Sequence, residues 1–84
     1  MSNVVIYCTR FCPYCIRAKM LLESKNITFT EIDLGEQPDK RSEMEQLSRR
    51  TSVPQIFIDD YHVGGCDDLF DLELKGELNT KLGL

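Results

Sequence analysis

The order of apolar and polar residues predicts an α/β chain in which a mixed four-stranded sheet is flanked by helices. Short β-branched, apolar runs alternate with helical stretches, and the strand–helix–strand start implies a parallel pair with a right-handed crossover. The last two strands follow each other across a tight turn, so they add antiparallel strands to the same sheet. The predicted order is β-α-β-α-β-β-α, within a single domain that covers residues 1–84.

Four strands are predicted from β-branched and apolar residues. The first is the apolar run Asn3–Cys8, and the second covers Thr28–Leu34. The third is Val53–Ile58, which has a proline near its start. Asp59-Asp60 then makes the tight turn that brings the chain back as the fourth strand, Tyr61–Gly64.

Three helices and a short closing turn are predicted around these strands. The helix Pro13–Ser24 begins with a proline, which suits the first helical position, and its apolar residues recur at helical spacing. A second, mostly solvated helix covers residues 38 to 49 or 50. The third is expected to be capped by Asp67 or Asp68 and to end at Leu74.

Composition and charge narrow the possible functions. The chain is 42% hydrophobic and 29% charged, which is ordinary for a globular protein and excludes disordered and membrane-spanning classes. Its net charge of −4 argues against nucleic acid as a partner, because phosphate contacts dominate that affinity. No secretory signal is recognised, so we expect a cytoplasmic protein with reduced thiols and no membrane partner.

The segment Cys12-Pro13-Tyr14-Cys15 carries the main chemical signal. Two cysteines at this spacing, after a strand and at the start of a helix, are typical of a thioredoxin-like redox site and predict the thioredoxin-like fold. Cys12 falls at the helix N-cap, where the free N–H groups of Tyr14 and Cys15 and the helix dipole favour a thiolate. Cys15 lies one turn further on and deeper, where desolvation keeps it neutral. We therefore expect Cys12 to attack and Cys15 to resolve.

The four cysteines also allow a different interpretation. Cys8, Cys12, Cys15 and Cys66 are enough for a four-thiolate zinc or iron–sulfur site. A proline between two ligands and the presence of only one C-x-x-C motif argue against it, so no metal site is predicted. We expect Cys8 and Cys66 to be buried or half-buried small residues, and His62, the only histidine, to lie on the surface.

Three motifs together resemble the dithiol glutaredoxins of the small bacterial type. They are the Cys12–Cys15 segment, the segment Ser52–Ile58, which is similar to T-V-P-x-[IV]-F-I, and Gly64–Asp68, which is similar to G-G-x-D-D. They occur in the family's order and spacing over nearly the whole chain. The resemblance implies a monomeric, glutathione-dependent oxidoreductase that reduces protein–glutathione mixed disulfides and protein disulfides. Glutathione would be a co-substrate, and no tightly bound cofactor is implied.

The resemblance also implies a glutathione groove. Val53 precedes a proline that is cis in the family, and its backbone would pair with the cysteine part of glutathione. The N-terminus of the third helix would hold the γ-glutamyl carboxylate, and Asp67 would accept from the ammonium of that residue. The residues implied to contact glutathione are Arg10, Tyr14, Arg41, Ser52, Val53, Pro54, Gly65, Cys66 and Asp67.

Two departures from the family pattern affect this groove. The lysine that often lies three residues before the first cysteine is Thr9 here, and Arg10 beside it is expected to take over the cationic role. Arg41 is the residue that the resemblance suggests for the glycine carboxylate of glutathione. Ser52 replaces the usual threonine, which keeps a hydroxyl and loses a methyl group.

Two rival functions use the same cysteines. A thioredoxin-like protein reduced by a flavoprotein shares the fold and the C-x-x-C motif, but the segment Gly64–Asp68 argues against it. An iron–sulfur carrier would bridge two chains through Cys12 and glutathione. Pro13 stiffens that loop and Cys15 competes as a ligand, so we rank this function lower.

Overall fold

The computed structural model describes residues 2–84 and confirms the predicted alternation of strands and helices. The strands are β1 (Val4–Cys8), β2 (Thr30–Asp33), β3 (Gln55–Ile58) and β4 (Tyr61–Gly64). The helices are α1 (Pro13–Ser24), α2 (Lys40–Ser48), α3 (Cys66–Leu74) and α4 (Leu78–Leu82). The predicted closing turn is thus a short helix, α4.

The strands form one mixed sheet in the order β2-β1-β3-β4. β1 pairs in parallel with β2. The other two neighbouring pairs, β1 with β3 and β3 with β4, are antiparallel. β1 and β4 therefore run in the same direction, and β3 begins where they end. This topology brings the start of α1, the segment before β3 and the start of α3 to one edge of the sheet.

The sheet separates two hydrophobic cores. Because side chains alternate along a strand, Val4, Ile6 and Cys8 face one side of the sheet. They pack there with residues of α1 and α3 such as Leu22 and Leu69. The smaller core on the other face consists of Tyr7, Leu34, Met44 and Phe57. The packing of α1 and α3 on the same face holds their N-termini side by side.

Two predicted boundaries are wrong for identifiable reasons. β3 begins at Gln55 rather than Val53, because the Val53–Pro54 peptide is cis and this segment turns before the strand starts. The third helix begins at Cys66 with Gly65 as its N-cap, so neither Asp67 nor Asp68 is the cap residue. The cis bond itself confirms the sequence-based expectation.

β2 is shorter than predicted at both ends, covering Thr30–Asp33 instead of Thr28–Leu34, and α2 begins at Lys40 rather than at residue 38. α2 ends at Ser48 because Arg49 adopts a left-handed conformation with φ 60°. His62, expected on the surface, is half-buried: its ring lies 4.9 Å from the Phe57 ring, centroid to centroid. Within residues 2–84, no helix has the length and apolar character needed to cross a membrane.

Candidate functional site

The two cysteines of the C-x-x-C motif lie at the N-terminus of α1. Cys12 is the N-cap, with an extended backbone, and its carbonyl accepts the hydrogen bond of the Ile16 N–H at 3.0 Å. Pro13 is the first helical residue, as predicted. Cys12 is half-buried, whereas Cys15 one turn later is fully buried. The accessible sulfur is therefore that of Cys12.

The contact made by the Cys12 sulfur differs from the expected one. The N–H groups of Tyr14 and Cys15 were expected to point at this sulfur, but no cap hydrogen bond to the side chain is formed. Instead the Cys12 thiol points at the carbonyl oxygen of Val53, with 3.9 Å between sulfur and oxygen. A protonated thiol is a donor and so turns to an acceptor. The contact ties Cys12 to the segment before β3.

Cys15 is held as a neutral thiol by its surroundings. Burial raises its pKa to about 12, and a hydrogen bond from the Thr9 backbone acts in the opposite direction. The Cys12 side chain adds to the rise. A thiol with this pKa does not compete with Cys12 as a nucleophile at neutral pH, because the thiolate is the reactive form.

A groove of about 210 Å³ opens between the segment before β3 and the start of α3. It contains seven of the nine residues that the family resemblance implied for glutathione contact. These are Tyr14, Ser52, Val53, Pro54, Gly65, Cys66 and Asp67. Arg50 and Asp68 complete the lining. The Val53 carbonyl that meets the Cys12 sulfur belongs to this groove.

Arg50 and Asp68 form a polar clamp at the rim of the groove that the sequence analysis missed. An Asp68 carboxylate oxygen accepts from the Gly65 N–H at 2.8 Å and from the Arg50 guanidinium at 2.9 Å. Both bonds lower the pKa of Asp68, the Gly65 bond most. Gly65 has no side chain to cap α3, so Asp68 supplies the reach-back bond of a capping box. Asp68 could have been recognised from the sequence, because an acidic residue three positions after a helix N-cap is typical of a capping box. No feature of the sequence indicated that Arg50 would lie at this groove.

The two arginines predicted for glutathione contact lie outside the groove lining. Arg10 pairs with Glu36 at 3.0 Å, because the loop after β1 turns its guanidinium toward the loop after β2. It lines a separate concavity of about 560 Å³ on another side of Cys12. Arg41 donates to the Thr51 carbonyl at 3.2 Å and lies 3.8 Å from Glu45 of its own helix. Arg50 is the arginine that lines the groove.

The remaining cysteines are buried, as expected. The Cys8 sulfur donates to a carboxylate oxygen of Glu31 at 3.4 Å, and burial raises its pKa to about 12. Burial also raises the pKa of Cys66, which lines the groove. Across the described residues 2–84, no group of three or more His, Cys, Asp or Glu side chains is placed to hold a metal ion.

Proteins of a known family are similar to this chain in sequence and in architecture. The family described as Glutaredoxin matches residues 4–63. Glutaredoxin 3 of Escherichia coli strain K12 is 52% identical over 82 residues, which cover 98% of this chain and 99% of that protein. A glutaredoxin of Pseudomonas aeruginosa is 51% identical and covers 98% of each chain.

Solved structures agree with these sequence matches. The solution structure of glutaredoxin from Brucella melitensis is 50% identical with a TM-score of 0.83, covering 100% of this chain and 94% of that one. The crystal structure of a buckwheat glutaredoxin–glutathione complex has a TM-score of 0.91 at 27% identity, covering 98% and 77%. They confirm the thioredoxin-like fold. The chain belongs to the glutaredoxin family of glutathione-dependent thiol–disulfide oxidoreductases.

Proposed function

We propose that the groove binds glutathione with its sulfur next to Cys12, and that Cys12 and Cys15 are the nucleophilic and resolving cysteines. The observation that carries this proposal is the 3.9 Å contact between the Cys12 sulfur and the Val53 carbonyl, at one end of the groove. The buckwheat relative was solved as a glutathione complex, which supports glutathione as the occupant. The substrates are glutathionylated or disulfide-containing proteins. The protein acts in the cytoplasm as a monomer, and residues 1–84 form a single domain.

The chemistry of the groove suits the ends of a glutathione molecule. Free backbone N–H groups at the start of α3, a nine-residue helix, favour the γ-glutamyl carboxylate. Arg50 adds a positive charge on the same rim, and Asp67 supplies a carboxylate for the ammonium group. The Val53 backbone is available to the cysteine part of the tripeptide. Tyr14, which is 55% exposed, flanks the opening.

The first reaction uses Cys12 alone. Its thiolate attacks the glutathione sulfur of a protein–glutathione mixed disulfide, the S–S bond breaks, and the protein sulfur leaves as a thiolate that takes up a proton. Glutathione is then bound to Cys12 through a new disulfide. The thiolate of a second glutathione attacks the glutathione sulfur, releases oxidised glutathione and restores the Cys12 thiolate. The reaction consumes one free glutathione, and the oxidised glutathione joins it to the glutathionyl group removed from the substrate.

The second reaction needs Cys15. Cys12 attacks a protein disulfide, forms a mixed disulfide with one protein sulfur and releases the other as a thiol. Cys15 then loses its proton and attacks the Cys12 sulfur, so that the protein leaves and a Cys12–Cys15 disulfide remains. Two glutathione molecules reduce that disulfide.

A pair of serine variants tests these roles. Cys12→Ser should abolish turnover of a glutathionylated peptide and of a protein disulfide, because it removes the attacking thiolate. Cys15→Ser should keep the first activity and lose the second. Both are measured with glutathione, glutathione reductase and NADPH. Substantial turnover by Cys12→Ser, or equal loss of both activities in folded Cys15→Ser, would contradict the assignment.

A further inference from the structure

A fully buried amide lies directly behind the groove. Gln55, the first residue of β3, has no exposed surface, although its side chain carries two polar groups. Its Nε2 group donates to the Ser52 carbonyl at 3.0 Å and to the Ser52 hydroxyl at 3.3 Å. Its Oε1 atom lies 2.7 Å from Nε2 of His62 on β4. The amide therefore links β4 to the wall of the groove.

The partners fix the direction of every hydrogen bond in this link. A backbone carbonyl only accepts, so the amide nitrogen of Gln55 must face Ser52 and its oxygen must face His62. His62 then carries a proton on Nε2 and donates it to Gln55. The His62 ring is held in turn against Phe57, at 4.9 Å between centroids and 31° between planes. Neither end of the link is free to turn.

The link determines where the Val53 N–H points. The Ser52 C=O and the Val53 N–H belong to one planar trans peptide unit, so they point in opposite directions. Gln55 holds that carbonyl toward the interior of the protein. The Val53 N–H is consequently turned away from the interior, on the side where Val53 lines the groove.

We propose that Gln55 is a positioning residue for glutathione, because its amide, oriented by His62, sets the peptide plane that presents the Val53 N–H to the tripeptide. This inference rests on the proposed glutathione groove and deepens it. Gln55 itself does not touch the ligand. Its effect is on the binding of the glutathione part of a substrate and not on the reacting sulfur, because Gln55 bonds Ser52 and not the Val53 carbonyl that contacts Cys12.

The test is a comparison of KM and kcat for a glutathionylated peptide in Gln55→Met, which keeps the size of the side chain and removes both polar groups. Misaligning one backbone hydrogen bond costs roughly 0.5–1.5 kcal/mol. KM should therefore rise about two- to twelvefold, by 1.4 kcal/mol per factor of ten, while kcat stays within twofold of the wild-type value. An unchanged KM in Gln55→Met, with Cys12→Ser inactive, would overturn this inference and leave the proposed function intact.

Lys25→Met is the matched control. It also keeps a long side chain and removes polar contacts, in this case the bonds from the Lys25 ammonium to Glu73 at 2.8 Å and to Asn79 at 2.7 Å. Lys25 directly follows α1, at the opposite end of that helix from Cys12. Lys25→Met should lower stability without changing KM. If Lys25→Met raises KM as much as Gln55→Met, or if Gln55→Met lowers kcat and raises KM in parallel with its loss of thermal stability, the positioning role is refuted.

If Gln55→Met does not fold, variants of His62 test the positioning role of Gln55. His62→Phe keeps a ring against Phe57 and removes the donor, so KM should rise about two- to fivefold, less than for Gln55→Met because only the orientation of the amide is loosened. His62→Gln restores an N–H donor and should bring KM back toward the wild-type value. Equal KM values in wild type, His62→Phe and His62→Gln would overturn the proposal.

Discussion

Replacement of Asp68 tests whether the clamp at the start of α3 stabilises the fold. In Asp68→Ala the Gly65 N–H loses its acceptor and Arg50 loses its ion pair, at 2.8 and 2.9 Å respectively. Loss of a helix cap costs about 0.5–2 kcal/mol. The ion pair adds about 0.2–1 kcal/mol at most, because its side chains are 47% and 44% exposed and water screens them. The free energy of unfolding of Asp68→Ala should therefore be lower than that of wild type by about 0.7–3 kcal/mol.

For a chain of this size, each kcal/mol corresponds to a fall in Tm of about 4–8 °C. Thermal unfolding of the reduced protein, followed by circular dichroism at pH 7, measures that shift. Asp71→Asn is the control, since it breaks an exposed ion pair with Lys75 at 2.9 Å in the same helix and removes no cap. If Asp68→Ala falls no further in Tm than Asp71→Asn, the clamp contributes nothing beyond a surface ion pair.

The pH dependence isolates the charge of Asp68. Its pKa in the folded protein is lowered below the ordinary value of 3.8. The stabilisation is therefore fully present above the unfolded pKa and is lost as pH falls through the folded pKa. Asp68→Asn keeps an acceptor for Gly65 and removes only the charge. The stability difference between wild type and Asp68→Asn should narrow from pH 7 to pH 3, and a gap that widens on acidification would refute this reasoning.

Two further outcomes follow from the arrangement of charges and thiols. Arg50→Ala should raise KM for a glutathionylated peptide a few-fold, an effect of about 0.2–1 kcal/mol that fades at high salt, whereas Arg10→Ala should change it little; the reverse order would contradict the assigned positions. Native reduced protein should take up one iodoacetamide at pH 7, on Cys12, and four after unfolding in guanidinium. A second adduct formed as fast as the first, detected by mass spectrometry, would contradict the burial of Cys8, Cys15 and Cys66.

Local sequence signals predicted the elements whose ends are determined locally. Pro13 marks the first residue of α1, and the predicted Asp59-Asp60 turn joins β3 directly to β4. The predicted start of β3 was two residues too early. β-branched Val53 favours a strand, but the chain turns at the cis peptide that follows it, before the strand begins. Strand propensity carries no information about the isomer of a peptide bond.

The contacts of the site were less predictable than its location. The family resemblance implied most of the groove lining, because those residues lie within the three short motifs that carry it. The contact between Arg50 and Asp68 joins residues 18 positions apart and depends on how α3 packs beside the segment before β3. The same limit applies to Arg10, because its partner Glu36 is 26 positions away. The partner of a side chain that reaches across the fold depends on the tertiary packing of the backbone and cannot be inferred from local sequence.

Gly64 and Asp68 restrict how this part of the chain can evolve. A Cβ atom at position 64 would lie 2.3 Å from the Asp68 carboxylate, so a larger residue there requires a smaller one at position 68, at the expense of the α3 cap. Even that paired change leaves φ at +115°, which side chains other than hydrogen rarely adopt. No single substitution elsewhere therefore allows Gly64 to be replaced without strain. We expect variation near the groove to accumulate at positions such as Thr51, which is exposed and lies outside the groove lining.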